Sequence, residues 1–132
     1  MDSGAIGRRL ALGAAVLAAA GVLGLVTSGT AAADTAGGGC AGSQVRTLPF
    51  STGITRVYRT GDGYVCAVTL ARKPGTTQTM AVSVQARGGR PVVDQGRYVH
   101  HAGPVTVHAG QRCVWIRGSV GSGSVSSGWI LC

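Results

Sequence analysis

From Ile54 onward, apolar and polar residues alternate with a period of two. Met80, Val82, Val84 and Ala86 fall on one side of a run whose other side is Ala81, Ser83, Gln85 and Arg87. Cys66, Val68 and Leu70 alternate in the same way with Ala67, Thr69 and Ala71. Ile54–Arg59, Val105–Val107, Cys113–Arg117 and Gly128–Cys132 are shorter runs rich in β-branched and aromatic residues. Alternation of this kind puts successive side chains on opposite faces of a half-buried strand, and no segment here repeats its apolar residues at helical spacing over three turns. Turn signals separate the runs. Thr60-Gly61-Asp62-Gly63 carries an Asp-Gly pair between two apolar stretches, a hairpin signature. Lys73-Pro74-Gly75, Gly88-Gly89, Ala102-Gly103-Pro104 and Gly121-Ser122-Gly123 mark further turns. About seven or eight short strands with no helix between them predict an all-β domain, a small antiparallel β-sandwich or barrel.

The N-terminus follows a different pattern. Arg8-Arg9 precedes Leu10–Val26, which contains only Leu, Ala, Gly and Val, and Ala31-Ala32-Ala33 supplies small residues for cleavage. This is the layout of a secretory signal peptide, helical while it is engaged. The run sits at the short limit for a membrane span, and Ala and Gly add little transfer energy, so cleavage after Ala33 is the expectation rather than an uncleaved anchor. No Ser or Thr precedes the arginine pair, as a twin-arginine signal would require. Gly37-Gly38-Gly39 stands where a lipidated Cys40 would need a branched apolar residue. The expected organisation is a signal peptide over 1–33, a flexible Gly-rich N-terminus over 34–42 and a disulfide-bonded β domain over 43–132.

Cys40, Cys66, Cys113 and Cys132 all survive cleavage. An even count in a short exported chain reads as two disulfides, and the absence of any C-x2-C pair argues against structural zinc. A final hairpin centred near Ser122-Gly123 would set Cys113 opposite Cys132 and Trp115 opposite Ile130. Directly opposed strand residues have Cα atoms about 4.5–5.5 Å apart, within disulfide range. Cys40 and Cys66 then form the second pair, one of three connectivities open on paper.

Composition bears on function mainly by exclusion. The chain has 12 Lys+Arg against 4 Asp+Glu, a formal net charge of +8, and removing the leader lowers the excess by one. Acid–base catalysis needs partnered titratable groups. The exported part offers only Asp34 in the loose N-terminus, Asp62 in a hairpin turn and Asp94 before Gly96, and turn aspartates ordinarily accept local hydrogen bonds. There is no G-x-S-x-G elbow. His100 and His101, adjacent in a strand, point to opposite faces, and a turn at Ala102-Gly103-Pro104 would pair His108 nearer Tyr98 or Val99, so no three-histidine metal set forms. The expectation is a protein that is not an enzyme, with no metal and no cofactor. The basic residues are spread over almost every strand and turn. Arg56, Arg59, Arg87, Arg90 and Arg97 are candidate polyanion-binding residues, with Tyr58, Tyr64 and Tyr98 as stacking partners. Export favours an anionic cell-wall or spore-surface polymer over nucleic acid, although dispersed arginines also serve solubility alone.

Several short pieces over residues 54–132 resemble the spore-associated protein A group, small exported proteins of actinobacteria found with spores and in culture fluid. They are Cys66-Ala67-Val68-Thr69-Leu70, Asp94-Gln95-Gly96-Arg97-Tyr98, Ala102-Gly103-Pro104-Val105, Cys113-Val114-Trp115 and the terminal Cys132. The resemblance implies an exported, disulfide-bonded protein and brings no catalytic residues. The reading is a non-enzymatic exported β protein associated with the cell or spore surface, the alternative being a secreted module that binds an anionic wall polymer or glycan through Arg and Tyr side chains.

Overall fold

The computed structural model describes residues 39–132. The expected signal peptide and the first part of the Gly-rich segment lie outside the described residues. Eight strands follow in order: β1 (Ser43–Phe50), β2 (Gly53–Arg59), β3 (Tyr64–Ala71), β4 (Gln78–Ala86), β5 (Val92–Tyr98), β6 (His101–His108), β7 (Val114–Val120) and β8 (Gly123–Ile130). They pair into two four-stranded antiparallel sheets, β1-β2-β3-β6 and β5-β4-β7-β8. Each sheet keeps two open edges, so the two predicted architectures resolve to the sandwich.

Alternation along the strands builds the core. Val57, Val65 and Ala67 of the first sheet meet Met80, Val82, Val84, Val114, Ile116 and Val120 of the second, all fully buried. Burying each of the larger of these side chains is worth about 1.5–3 kcal/mol relative to exposure. One polar pair interrupts this layer. Thr55 and Thr69 are directly opposed on β2 and β3, wholly buried, and joined by a 2.8 Å hydrogen bond between their hydroxyls. Gly118 on β7 faces them: a Cβ there would lie 1.9 Å from Thr55 Oγ1 and 2.6 Å from Thr69 Oγ1. The missing side chain lets the second sheet close onto the hydroxyl pair.

The first sheet also buries part of its outer face. Cys40, Tyr58, Cys66 and Val68 form a second cluster, fastened by the Cys40–Cys66 disulfide with Cα atoms 5.6 Å apart. Strand β3 is therefore covered on both sides from Val65 to Thr69, which explains why its polar alternation is weak.

Two local expectations are corrected. Ala102-Gly103-Pro104 is not a turn but part of β6, an edge strand. The ladder with β3 passes from Ala67↔Val105 to Thr69↔Ala102, leaving Gly103 and Pro104 in a bulge. An edge bulge tolerates a proline, and Gly103, at φ 89, has a conformation that a side chain would oppose. Asp94 of β5 reaches across to this point. Its carboxylate accepts the Gly103 N–H at 2.7 Å and the Tyr98 hydroxyl, tying the sheets together where the chain crosses between them. The second correction concerns register. Trp115 opposes Trp129, not Ile130, because the hairpin turns one position earlier, with Val120 opposite Gly123, and a bulge follows at Ser127-Gly128. There the Ser127 hydroxyl accepts the Ile116 N–H at 2.9 Å, and Gly128 takes φ 71. The Cys113–Cys132 disulfide nevertheless forms, with Cα atoms 4.0 Å apart, after Leu131 turns the chain at φ 58. Both cysteine pairings are as the sequence predicts.

Candidate binding surface

The same alternation that buries Val114, Ile116 and Val120 turns Trp115, Arg117 and Ser119 outward on β7. On the outer face of this sheet, residues opposed in register lie side by side. One row runs Gln95, Ala81, Ser119, Ser124, and the next runs Val93, Ser83, Arg117, Ser126. Small side chains on β4, β7 and β8 leave a shallow trough of about 410 Å³ between Val93 and Gln95 on one side and Arg117 on another.

Beyond Arg117 stands an aromatic–cationic row. Trp115 and Trp129 meet edge to face, with ring centroids 5.3 Å apart and planes at 89°. The Arg117 guanidinium lies 5.3 Å from the centre of the Trp115 ring, and that of Arg87 lies 5.4 Å from the centre of Trp129. The Trp115 indole N–H donates to Ser126 Oγ at 2.7 Å, which fixes the ring against the trough. Trp129 is 37% exposed. Each guanidinium–indole contact is worth about 0.5–1 kcal/mol at an exposed site.

These two arginines differ from their neighbours. The Arg59 and Arg72 guanidiniums donate to the carbonyls of Gly110 and Phe50, and Arg112 donates to those of Ala109, Arg87 and His108. Those groups serve as struts between loops. Among the described residues, Arg56, Arg87, Arg90, Arg97 and Arg117 all lack a side-chain hydrogen-bond acceptor, and of these Arg87 and Arg117 have an indole beneath them. Stacking uses the flat face of a guanidinium and leaves its in-plane N–H donors available, a geometry suited to carboxylate or phosphate.

The five candidate arginines do not come together. Arg56 lies on the first sheet, opposite Val68 and Thr47, and Arg59 braces Gly110 at one end. Arg90 is in the β4–β5 turn, Arg97 pairs with Thr79 on the second sheet, and Arg87 alone joins the tryptophan row. The tyrosines are largely committed. Tyr58 is buried, Tyr98 holds Asp94, and Tyr64 packs edge-on against His108 at 4.8 Å. His101 and His108 stand at opposite ends of β6, and His108 meets the Asp62 carbonyl at 3.0 Å. Asp62 itself accepts the Thr60 hydroxyl inside its turn. Among the described residues, no three His, Cys, Asp or Glu side chains converge as a metal site would need. The tryptophan row went unnoticed in the sequence because its members come from β7, β8 and the β4–β5 turn. The signal available was the shared parity of Trp115, Arg117 and Ser119, opposite to the buried valines.

The fold and this face define a small, disulfide-bonded antiparallel β-sandwich with an open aromatic–cationic surface. The chain is 33% identical over 115 residues to spore-associated protein A of Streptomyces coelicolor, a match that covers 85% of this chain and 75% of that protein. It belongs to the spore-associated protein A family, and the similarity extends well beyond the short pieces that first pointed to it. No family model matches the sequence, and no solved structure gives a significant match.

Proposed function

We propose that the protein is exported and acts without catalysis at the cell or spore surface, held there by an anionic surface polymer. The row Arg87–Trp129–Trp115–Arg117 carries this reading, because it presents two cations whose donors meet no protein acceptor among the described residues. The relative's name associates that protein with spores, which supports the same place for this one. All four cysteines are paired, as suits an oxidising compartment. The formal excess of the exported chain, one below the +8 of the full sequence, adds long-range attraction to any polyanion. The test is fractionation of cells, spores and medium, each washed at rising salt. Retention in the cell or spore fraction that is released by salt is expected, since counterions compete with a charged partner. Protein found only in the cytoplasm, or retained regardless of salt, would overturn the reading.

A further inference from the structure

The trough beside the tryptophan row has a chemistry of its own. Ser83, Ser119, Ser124 and Ser126 lay four hydroxyls along its floor, each able to donate and to accept, and Gln95 adds an amide at the β5 side. Its volume of about 410 Å³ falls within the range of roughly 300–1,000 Å³ usual for small-ligand sites. Arg117 stands at the rim with its guanidinium held over Trp115, and Arg87 lies one indole further on. Among the described residues, no carboxylate lines this trough. Asp94, on the neighbouring strand, points to the opposite side and is engaged by Gly103 and Tyr98. The surface is therefore hydroxyl-rich where it is concave and aromatic at one end, with Arg117 and Arg87 at that end and Arg97 exposed on the same face two residues beyond Gln95.

We propose that this trough binds a strand of acidic polysaccharide, with pyranose hydroxyls on the serine floor and ring carboxylates or phosphates along the strand held by Arg117 and Arg87. The inference rests on the surface-polymer reading above and narrows it from charge to sugar. A bare polyanion would use the arginines and leave four hydroxyls and a recess idle. A neutral sugar would leave two stacked guanidiniums without an acceptor. An acidic pyranose uses both, and the part of the Trp129 indole left exposed between Arg87 and Trp115 offers apolar contact to its C–H surface.

The chain has two Trp, both in this row, so intrinsic tryptophan fluorescence reports on the site alone. The probes are a hexamer of 1,4-linked galacturonate, a hyaluronate hexasaccharide, neutral cellohexaose and a glutamate hexamer, with retention on purified cell walls measured beside them. At least one uronate should change the fluorescence and bind about tenfold more tightly than the glutamate hexamer or cellohexaose, the loss expected when a charge-assisted or polar partner is missing. Ser119→Leu, which fills the floor, should remove this preference and weaken wall retention toward the level that charge alone supplies, and Arg117→Gln should weaken uronate binding about tenfold. If neither uronate is preferred over the glutamate hexamer while wall retention persists, the sugar site is refuted and the charge-based reading survives. If wall retention is absent as well, both fall.

Discussion

Gly118 offers a direct test of how the two sheets meet. Replacing it with Ala places a methyl 1.9 Å from Thr55 Oγ1, 2.6 Å from Thr69 Oγ1 and 3.1 Å from Thr55 Cβ. Neither hydroxyl can swing away cheaply, because β-branched side chains are stiff at χ1 and the two oxygens are each other's hydrogen-bond partner in a wholly buried place. Overpacking a core by one methyl costs typically 1–3 kcal/mol, and contact this close belongs at the upper end, about 3 kcal/mol. For a domain of this size that corresponds to a Tm lower by roughly 12–24 °C. Gly61→Ala is the matched control, since its added Cβ meets nothing within 4 Å, and it should stay within about 0.5 kcal/mol of wild type. Combining Gly118→Ala with Thr55→Ala relieves the shortest contact, so the double variant should lose at least about 1 kcal/mol less than the sum of the singles. Urea and thermal unfolding of the oxidised protein provide the measurement. A Gly118→Ala variant as stable as Gly61→Ala would refute the close approach of β7 to the threonine pair.

Three further outcomes follow from the same structure. Thr55→Val alone orphans the Thr69 hydroxyl and should cost about 1–3 kcal/mol, whereas Thr55→Val with Thr69→Val should recover most of that loss; additive losses in urea unfolding would contradict a shared hydrogen bond. Tyr98 donates its hydroxyl to Asp94, which, with desolvation and the carboxylate's charge, raises its pKa above the ordinary 10.0. The folded state then holds this proton more tightly than the unfolded chain, so the contribution is complete below about pH 10 and disappears as pH climbs through the raised value. Tyr98→Phe should accordingly flatten the alkaline fall in urea midpoint between about pH 9 and 11, and an unchanged slope would count against the tie. Replacing Cys113 and Cys132 together with Ser opens a loop of sequence separation 19 and should cost about 3 kcal/mol in the chain-entropy account, checked by denaturant midpoint.

The elements most readable in the sequence were those with one dry and one wet face. β4 is the clearest: Met80, Val82, Val84 and Ala86 are buried and the residues between them are not. Strand β8 was harder, because Ser124, Ser126 and Ser127 resemble loop composition while the ladder with β7 makes them strand residues. β5 was hidden for a related reason, since an edge strand keeps Val92 and Val93 exposed and breaks the inward–outward contrast. Ala102-Gly103-Pro104 has turn chemistry locally, and only its partners Ala67 and Thr69 on β3 make it a bulge. Both disulfides were legible even though the hairpin register used to infer one of them was off by one or two positions, because Leu131 and the Gly128 bulge absorb the shift. The tryptophan–arginine face shows the opposite case. Every residue of the Arg87–Trp129–Trp115–Arg117 row was visible in the sequence, but its assembly depends on the register of three strands and a turn.

The central claim is that one face, rather than dispersed charge, attaches this protein to its surface. Co-sedimentation with purified cell walls from low to physiological salt tests it, comparing Arg87→Gln/Arg117→Gln with Arg56→Gln/Arg90→Gln. Both pairs remove two positive charges, but only the first removes the guanidiniums stacked on Trp129 and Trp115. The account predicts that the first pair weakens retention about tenfold or more and flattens its salt dependence, while the second stays close to wild type. Equal weakening by the two pairs would contradict it.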